Sequence, residues 1–359
     1  MKIAVIGTVG LPANYGGFET LVENLVKNLA TKYQFTVYCS SNNRVDKPKK
    51  YGTTNLVYIP LKANGVQSIP YDIISIFNAI FITDILLILG VSGCICLPII
   101  KLISQKKIII HIDGLEWRRA KWGAMAKKFL KISEQIAINY ADVVIADNAA
   151  IQEYITDEYH KNSELIAYGG DHVFPMKTEQ LKNWNYSFSP KSYAIKVCRI
   201  EPENNIHIVL EAFSKINNLS LVIVGNWNNS EYGLMLRKKY IHDKNIQFLD
   251  PIYDQDKLYI LRSNALCYVH GHSAGGTNPS LVEAMFLGLP IIAFDINYNQ
   301  ETTYHKAIYF DSVEKLITLL KGFDKLELSN LGSKMKELAL QYYTWENVTD
   351  KYADLFVKN

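Results

Sequence analysis

Short apolar runs that alternate with amphipathic helical stretches constrain the fold of this chain more than any other feature. Residues 2–6 form an apolar run of strand length that ends at Gly7. After a loop, apolar residues return at helical spacing, at Phe18, Leu21, Val22, Leu25, Val26 and Leu29. Further strand-length runs lie at residues 35–39, 56–59, 108–112 and 143–146. This alternation predicts a mostly parallel sheet with helices on both faces.

The same alternation starts again after residue 190. Strand-length runs return at residues 193–197, 220–224, 246–249, 265–269 and 290–293. Helical stretches lie between several of them, at residues 209–216, 256–262 and 279–287. We therefore predict two α/β domains, residues 1–170 and residues 190–340.

The apolar stretch 85–103 is long enough to suggest a membrane span. Gly90, Ser92, Gly93 and Pro98 interrupt it, so a buried strand followed by a helix fits better. The first residues are typical of a strand rather than a secretory segment, and the five cysteines form no CxxC pair. We expect a cytoplasmic protein with reduced thiols. The net charge of +3 is too small to indicate a general nucleic-acid binder.

A glycine-bearing loop between Gly7 and Gly17 follows the first predicted strand. Ligands of parallel α/β sheets bind outside the carboxyl ends of the strands. Gly16 and Gly17 directly precede a predicted helix, whose free N–H groups favour an anion. The spacing of Gly7 and Gly10 does not match the dinucleotide fingerprint GxGxxG. We predict an anion or acceptor site here, with a plain turn as the alternative.

Arg199 follows the predicted strand 193–197 and opens the segment Arg-Ile-Glu-Pro-Glu-Asn-Asn. An arginine at the carboxyl end of a strand can bind a diphosphate through parallel hydrogen bonds. The alternative is a surface loop with a solvated Arg–Glu pair.

The segment 270–285 carries the strongest sign of a ligand site. Asn278 and Pro279 are typical of a helix N-cap and first turn. Residues around them would offer backbone N–H groups or hydroxyls to a phosphate: Gly275, Gly276, Thr277 and Ser280. The alternative is a helix start with a chance pair of glycines.

Glu283 lies about one turn into the same predicted helix. A carboxylate would repel a phosphate, so we expect it to accept hydrogen bonds from ribose hydroxyls. His270 and His272 precede the glycines, and isolated histidines are more often structural than ligands. His111 and Asp113 follow another strand and point to the same kind of edge, but their spacing fits no HExxH pattern, which disfavours a metal.

Several segments follow one another along the chain: Gly16-Gly17, His111, Arg199 and the turn at residues 276–283. In this order they resemble the GT-B glycosyltransferases of glycosyltransferase family 4, and the resemblance covers essentially the whole chain. The resemblance implies an α/β fold of two Rossmann-like domains that face each other across a cleft. Residues 113–123, 199–205 and 275–280 look like a narrower subgroup, the bacterial capsule and cell-wall rhamnosyltransferases.

Two positions depart from the pattern of the wider family. It usually has a lysine five residues after the arginine, where this chain has Asn204, and a glutamate eight residues before Glu283, where this chain has Gly275. One positive charge at the diphosphate and one contact to the donor sugar are thus missing. Both departures fit a donor unlike the common hexoses, such as a 6-deoxy sugar.

The resemblance implies a retaining, metal-independent transfer from a nucleotide-diphosphate sugar, with dTDP-L-rhamnose as the expected donor. Residues 1–170 would bind the acceptor and residues 190–340 the nucleotide, while a C-terminal helix at 344–359 crosses back to the first domain. The expected catalytic residues are Arg199, His111 and Asp113. The expected donor-binding residues are Gly275, Gly276, Thr277, Asn278, Ser280, Glu283, His272 and Tyr253. The expected acceptor or phosphate loop residues are Gly16, Gly17, Glu116 and Arg118.

A basic run from Arg118 to Lys131 contains an apolar helical face formed by Trp122, Met125, Phe129 and Ile132. Such a helix suits an anionic membrane surface or the diphosphate of a lipid-linked saccharide acceptor. We therefore expect peripheral binding to the inner face of the cell membrane. An ordinary packed helix with a solvated basic face is the alternative.

Three other functions stay open at this point. One is transfer of a hexose from a UDP donor, which differs only in substrate. A second is a sugar-nucleotide epimerase, which would convert the donor without any acceptor. A third is a non-catalytic subunit that binds the nucleotide sugar, which the departures at Asn204 and Gly275 would allow.

Overall fold

The computed structural model describes residues 1–13, 16–42, 46–112, 114–119, 122–174, 186, 188–322 and 325–357. Asp113, which the sequence predicts to be catalytic, lies outside the described residues. The chain divides into two compact units. Unit 1 comprises Met1–Tyr168 and Trp345–Asn359, and unit 2 comprises Gly169–Thr344.

Strands and helices alternate along unit 1. The strands are β1 (Lys2–Ile6), β2 (Gln34–Ser40), β3 (Lys50–Tyr51), β4 (Thr54–Ile59), β5 (Ile85–Leu89), β6 (Lys107–Ile112), β7 (Val143–Ala146) and β8 (Glu164–Leu165). The helices are α1 (Gly17–Leu29), α2 (Ser68–Ala79), α3 (Leu97–Ile103), α4 (Ala124–Tyr140) and α5 (Ala149–Tyr159). The apolar stretch 85–103 forms β5 and α3, which confirms the prediction of a strand followed by a helix.

The eight strands of unit 1 form one sheet in the order β3-β4-β2-β1-β5-β6-β7-β8, and every pair except β3–β4 is parallel. The order reverses at β1, which pairs with β2 on one side and β5 on the other. Ligands of such sheets bind at the carboxyl edge of this reversal, where the loop after β1 lies. No helix within the described ranges is long and apolar enough to cross a membrane.

Unit 2 repeats the alternation. Its strands are β9 (Tyr193–Val197), β10 (Ser220–Val224), β11 (Ile246–Leu249), β12 (Cys267–His270), β13 (Ile291–Phe294) and β14 (Ile308–Phe310). Its helices are α6 (Ile206–Phe213), α7 (Glu231–Tyr240), α8 (Gln255–Ser263), α9 (Pro279–Phe286), α10 (Asn297–Thr302), α11 (Val313–Lys321) and α12 (Lys325–Tyr342). All its strands are parallel, in the order β11-β10-β9-β12-β13-β14, so the order reverses at β9.

Two elements of unit 2 differ from the sequence prediction in ways that affect the site. Helix α6 begins at Ile206 rather than at residue 209, because Asn205 adopts a left-handed conformation (φ 46°) that ends the preceding loop. Strand β12 is shifted toward the C-terminus and ends at His270, because it pairs with β13 in a register that places His270 opposite Ala293. His270 is therefore part of the sheet and not of the loop that follows it.

The last helix, α13 (Trp345–Val357), belongs to unit 1. Its apolar side chains Trp345, Tyr352 and Phe356 are buried in the core of that unit. The ring of Phe356 meets the ring of Tyr33 edge-on, with centroids 5.3 Å apart. Burial of aromatic surface on this face holds the helix in place.

Candidate functional site

Two loops of unit 2 meet where the strand order reverses, at the carboxyl ends of the neighbouring strands β9 and β12. One loop carries Arg199 and the other carries the glycine turn before α9. The Asn205 side chain donates a hydrogen bond to the Gly271 carbonyl (2.9 Å), and the Ser273 amide donates to the Glu203 carbonyl (2.8 Å). The structure therefore brings together two segments that lie about 70 residues apart in the chain.

Arg199 extends from this edge with 41% of its side chain exposed, and its guanidinium lies 3.6 Å from the Glu201 carboxylate. Asn204 is buried beneath the loop. Its side-chain amide donates to the Arg199 carbonyl at 2.8 Å, and its Oδ1 lies 3.1 Å from Nδ1 of His272. Asn204 thus braces the loop, and its contact occupies one ring nitrogen of His272, a residue predicted to bind the donor.

The glycine turn leads into α9 as the sequence predicts. Asn278 caps the helix by accepting a hydrogen bond from the Ser280 amide (3.1 Å), and Gly275 has a φ of 94° that favours glycine. The Ser280 hydroxyl donates to Asn278 Oδ1 at 2.8 Å and accepts from the Tyr268 hydroxyl at 2.9 Å. Gly275 and Gly276 donate no backbone hydrogen bond within the part of the chain that the structure describes. Those two amides are available to an anion.

Glu283 lies one turn into α9 and is held by two basic side chains that the sequence did not indicate. Arg262 Nη2 lies 2.6 Å from one carboxylate oxygen, and His172 Nε2 lies 3.2 Å from the other. Burial raises the pKa of Glu283, but the charge of Arg262 and the hydrogen bond from His172 outweigh it and bring that pKa down to about 2. The carboxylate is therefore ionised near neutral pH and can only accept hydrogen bonds.

Thr277 and Tyr253 complete the predicted donor-binding set. Thr277 is buried next to the helix cap. Tyr253 lies in the loop after β11, and 63% of it is exposed. Strand β11 is an edge strand, two positions away from β9 in the sheet. An exposed ring can stack on a nucleotide base, and this role of Tyr253 stays a prediction.

In unit 1, the loop after β1 holds a carboxylate at the point where the sequence predicts an anion. Glu19 Oε1 accepts hydrogen bonds from the Thr8 hydroxyl (3.0 Å) and the Val9 amide (2.8 Å). A side chain on Gly16 would collide with the Glu19 carboxylate, since a Cβ there would lie 1.9 Å from its Oε2. The acceptor role of Gly16 and Gly17 stays a prediction, and an acceptor phosphate would have to bind beside this negative charge.

Glu116 and Arg118 lie in a short helical turn of unit 1. The Glu116 carboxylate accepts from the Trp122 indole at 2.9 Å and pairs with Arg119 at 2.9 Å. The Arg118 guanidinium lies 5.0 Å from the ring centre of Trp117, a cation–π distance. Both predicted acceptor residues thus make contacts within unit 1, and their acceptor role stays a prediction.

His111 lies in β6 and is completely buried. Its Nδ1 is 2.6 Å from the Tyr352 hydroxyl of α13. Burial lowers the pKa of His111 to about 3, so the ring is neutral near pH 7. Its Nε2 is buried without a hydrogen-bond partner within the described residues. These same residues contain no group of three His, Cys, Asp or Glu side chains that could hold a metal ion.

Comparison with protein families decides the enzyme class. Residues 178–338 match the family model described as "Glycosyl transferases group 1". This part of the chain, somewhat less than half of it, is similar to that family. The predicted enzyme class, a hexosyltransferase-type glycosyltransferase, is thereby confirmed. Residues 1–171 match a family described as "Domain of unknown function (DUF1972)". A search of curated proteins gave no match.

Solved structures share the fold over the whole chain. Sucrose-phosphate synthase (tll1590) from Thermosynechococcus elongatus has a TM-score of 0.82 at 16% identity, covering 99% of this chain and 98% of that chain. Alr3699/HepE of Anabaena in complex with UDP and glucose has a TM-score of 0.74 at 12% identity, covering 99% of each chain. WaaG, a glycosyltransferase involved in lipopolysaccharide biosynthesis, has a TM-score of 0.73 at 14% identity, covering 100% of each chain. These similarities confirm the predicted fold class, an α/β GT-B fold with two Rossmann-like sheets.

Proposed function

We propose that the protein transfers a sugar, with retention of configuration, from a nucleotide-diphosphate sugar bound to unit 2. One observation carries the proposal: the Arg199 guanidinium and the free amides of Gly275 and Gly276 lie at the carboxyl edge of the neighbouring strands β9 and β12. A guanidinium and helix N-terminal amides are the groups that stabilise negative charge on a departing diphosphate.

The proposed reaction needs no protein nucleophile. The bond between the anomeric carbon and the diphosphate oxygen breaks, and the acceptor oxygen bonds to that carbon on the same face. The acceptor proton passes to the leaving phosphate, so the products are the glycoside and a nucleoside diphosphate. His111 stays a predicted catalytic residue, and its neutral ring adds no charge of its own.

The donor has two candidates. The sequence motifs favour dTDP-L-rhamnose. A UDP-hexose is the second candidate, because a structure of Alr3699/HepE contains UDP-glucose and shares the fold of this chain. The proposed contact between Glu283 and the ribose bears on this choice, since an ionised carboxylate can accept from two vicinal hydroxyls. A uridine nucleotide offers both, whereas the deoxyribose of dTDP lacks the 2′-hydroxyl and would offer the carboxylate its 3′-hydroxyl alone.

A donor panel tests the proposed function. The purified chain is incubated with a lipid-linked saccharide and either dTDP-L-rhamnose, UDP-glucose, UDP-galactose or UDP-N-acetylglucosamine, and the products are analysed by mass spectrometry. We expect a mass increase of one deoxyhexose with the first donor, whereas one hexose or N-acetylhexosamine would select the second candidate. Absence of transfer from every donor, with no release of nucleoside diphosphate, would contradict the proposal.

The acceptor is proposed to be a saccharide linked to undecaprenyl diphosphate, used at the inner face of the membrane. Helix α4 supports this assignment. Met125 is 88% exposed, Ile132 is partly exposed on the same helical face, and Lys128 is exposed beside them. Lys131 is different, because its ammonium pairs with Glu158 at 2.9 Å and also lies near Glu134. The cations of α4 that remain available to a membrane are therefore Lys127 and Lys128.

Vesicle binding tests the role of α4. We expect the chain to sediment with phosphatidylcholine vesicles that contain phosphatidylglycerol, and reversal of charge at Lys127 and Lys128 to glutamate to weaken binding at least about 10-fold. Lys238→Glu/Lys239→Glu on α7 of unit 2 reverses two exposed lysines elsewhere and should leave binding unchanged. Equal sedimentation of both double variants and the wild type would refute membrane binding through α4.

A further inference from the structure

A lysine is buried inside the sheet of unit 2. Lys196 is the fourth residue of β9, and only 1% of it is exposed. Its ammonium group makes no hydrogen bond and no ion pair within the described part of the chain. Lys191, just before the same strand, instead donates to the carbonyls of Ser263 (2.8 Å) and Ala265 (2.9 Å). A buried ammonium without a partner is costly, and proteins rarely retain one without a use.

The Lys196 ammonium lies beneath the turn at Gly271, the first residue after β12. A Cβ on Gly271 would lie 3.0 Å from Lys196 Nζ and 2.4 Å from the Asn204 carbonyl oxygen. Glycine at this position therefore leaves Nζ uncovered by a side chain. Gly271 lies in one of the two loops that form the candidate site. Nζ of Lys196 therefore lies below that loop, between it and the sheet.

A second polar group without a partner lies in the neighbouring strand β12. His270 is buried at the end of β12, and its Nε2 has no hydrogen-bond partner within the described residues. Burial, the charge of Lys196 and the neighbouring His272 all lower the pKa of His270. Burial also lowers the pKa of Lys196, and only the Cys198 thiol acts in the opposite direction. No carboxylate among the described residues compensates the ammonium charge.

We propose that Lys196 binds the diphosphate of the donor from beneath the Gly271 turn. This inference rests on the proposed function, which supplies the diphosphate. It names a residue inside a β-strand as a donor-binding residue, where no motif marks it. The sign of a missing anion is the unpartnered ammonium beneath a turn where glycine leaves Nζ uncovered.

The proposal predicts effects of opposite sign on stability and on binding. In the free protein, the desolvated ammonium has no counter-charge, so replacing it with an apolar side chain of similar length should preserve or increase stability. In the complex, the same replacement removes a charge-assisted contact to phosphate and should weaken binding. A lysine with a purely structural role would give lower stability and unchanged binding.

The experiment compares the full chain with Lys196→Met, using calorimetric binding of UDP and dTDP, binding of uridine and thymidine, and the melting temperature without ligand. We expect the affinity of Lys196→Met for the diphosphates to fall about 10- to 100-fold, with nucleoside affinity unchanged and a melting temperature at or above that of the wild type. Lys191→Met, just before the same strand, is the matched control and should bind both diphosphates like the wild type.

Unchanged diphosphate affinity in a folded Lys196→Met variant would overturn the proposal, and so would an equal loss of nucleoside affinity. Failure of both Lys196→Met and Lys196→Gln to fold would also overturn it, because the ammonium would then be structural. If the wild type binds neither diphosphate, the proposed function and this inference fall together. If the wild type binds and the variant binds equally well, only the role of Lys196 is lost.

Discussion

Replacing Arg199 with alanine is expected to lower kcat about 100- to 1,000-fold, because a preorganised donor of hydrogen bonds to the leaving diphosphate is lost. The guanidinium is 41% exposed, and its ion pair with Glu201 is long at 3.6 Å. Removing it should therefore leave the free energy of unfolding nearly unchanged. Steady-state rates of nucleoside diphosphate release in the presence of acceptor would measure the effect, with urea unfolding as the check on stability.

Arg237 provides a matched control for this experiment. Its side chain is 33% exposed and lies 3.6 Å from Asp250, so its surroundings resemble those of Arg199, but it belongs to α7, away from the glycine turn. Arg237→Ala should keep the wild-type kcat, and Arg199→Lys should recover part of the rate because it retains the charge. A wild-type rate in Arg199→Ala would show that this loop does not stabilise the leaving group.

Replacing Arg262 with methionine is expected to lower the free energy of unfolding by about 3–5 kcal/mol, because it leaves the Glu283 carboxylate, only 13% exposed, with His172 as its remaining partner. The two charged groups are 2.6 Å apart, and only 3% of the Arg262 side chain is exposed. Urea unfolding monitored by circular dichroism measures the loss. The double variant Arg262→Met/Glu283→Gln removes the unpaired charge and should regain a large part of the stability.

The same pair predicts a dependence on pH. The folded pKa of Glu283, about 2, is below its ordinary value of 4.5, so the pair stabilises the fold fully above pH 4.5. This stabilisation is lost as the pH falls from 4.5 toward 2. The difference in stability between the wild type and Arg262→Met should therefore shrink over that range. A difference that stays constant down to pH 2 would show that Arg262 acts through packing and not through charge.

Much of the fold was predictable because its signals are local. Strand β1, strand β9 and the start of α9 lie where the sequence predicts them, since apolar runs, helical spacing and the Asn278-Pro279 cap act over a few residues. The boundaries of α6 and β12 were wrong by one to three residues. The left-handed backbone at Asn205 set the first boundary and pairing with β13 set the second, and neither leaves a periodic pattern in the sequence.

The candidate site was only partly predictable. Residues at the ends of strands could be proposed for the site because the carboxyl edge of a parallel sheet is a general place for ligands, and that edge follows from the order of elements. Arg262 and His172 were missed, because each approaches Glu283 from an element far away in the chain. Lys196 was missed for a similar reason, since a lone lysine in an apolar run carries no sign of its depth in the sheet.

By itself, the sequence determined the α/β alternation, the two mostly parallel sheets and the turn that begins α9, because these depend on neighbours within a few residues. Only the tertiary structure decided which charges are paired and which are buried alone. Asn204 connects two loops through its side-chain contacts. Glu283 is an ionised hydrogen-bond acceptor paired with Arg262. The ammonium of Lys196 is buried without a counter-charge. The physical reason is that desolvation and pairing depend on distances in space, which chain packing sets and sequence separation does not.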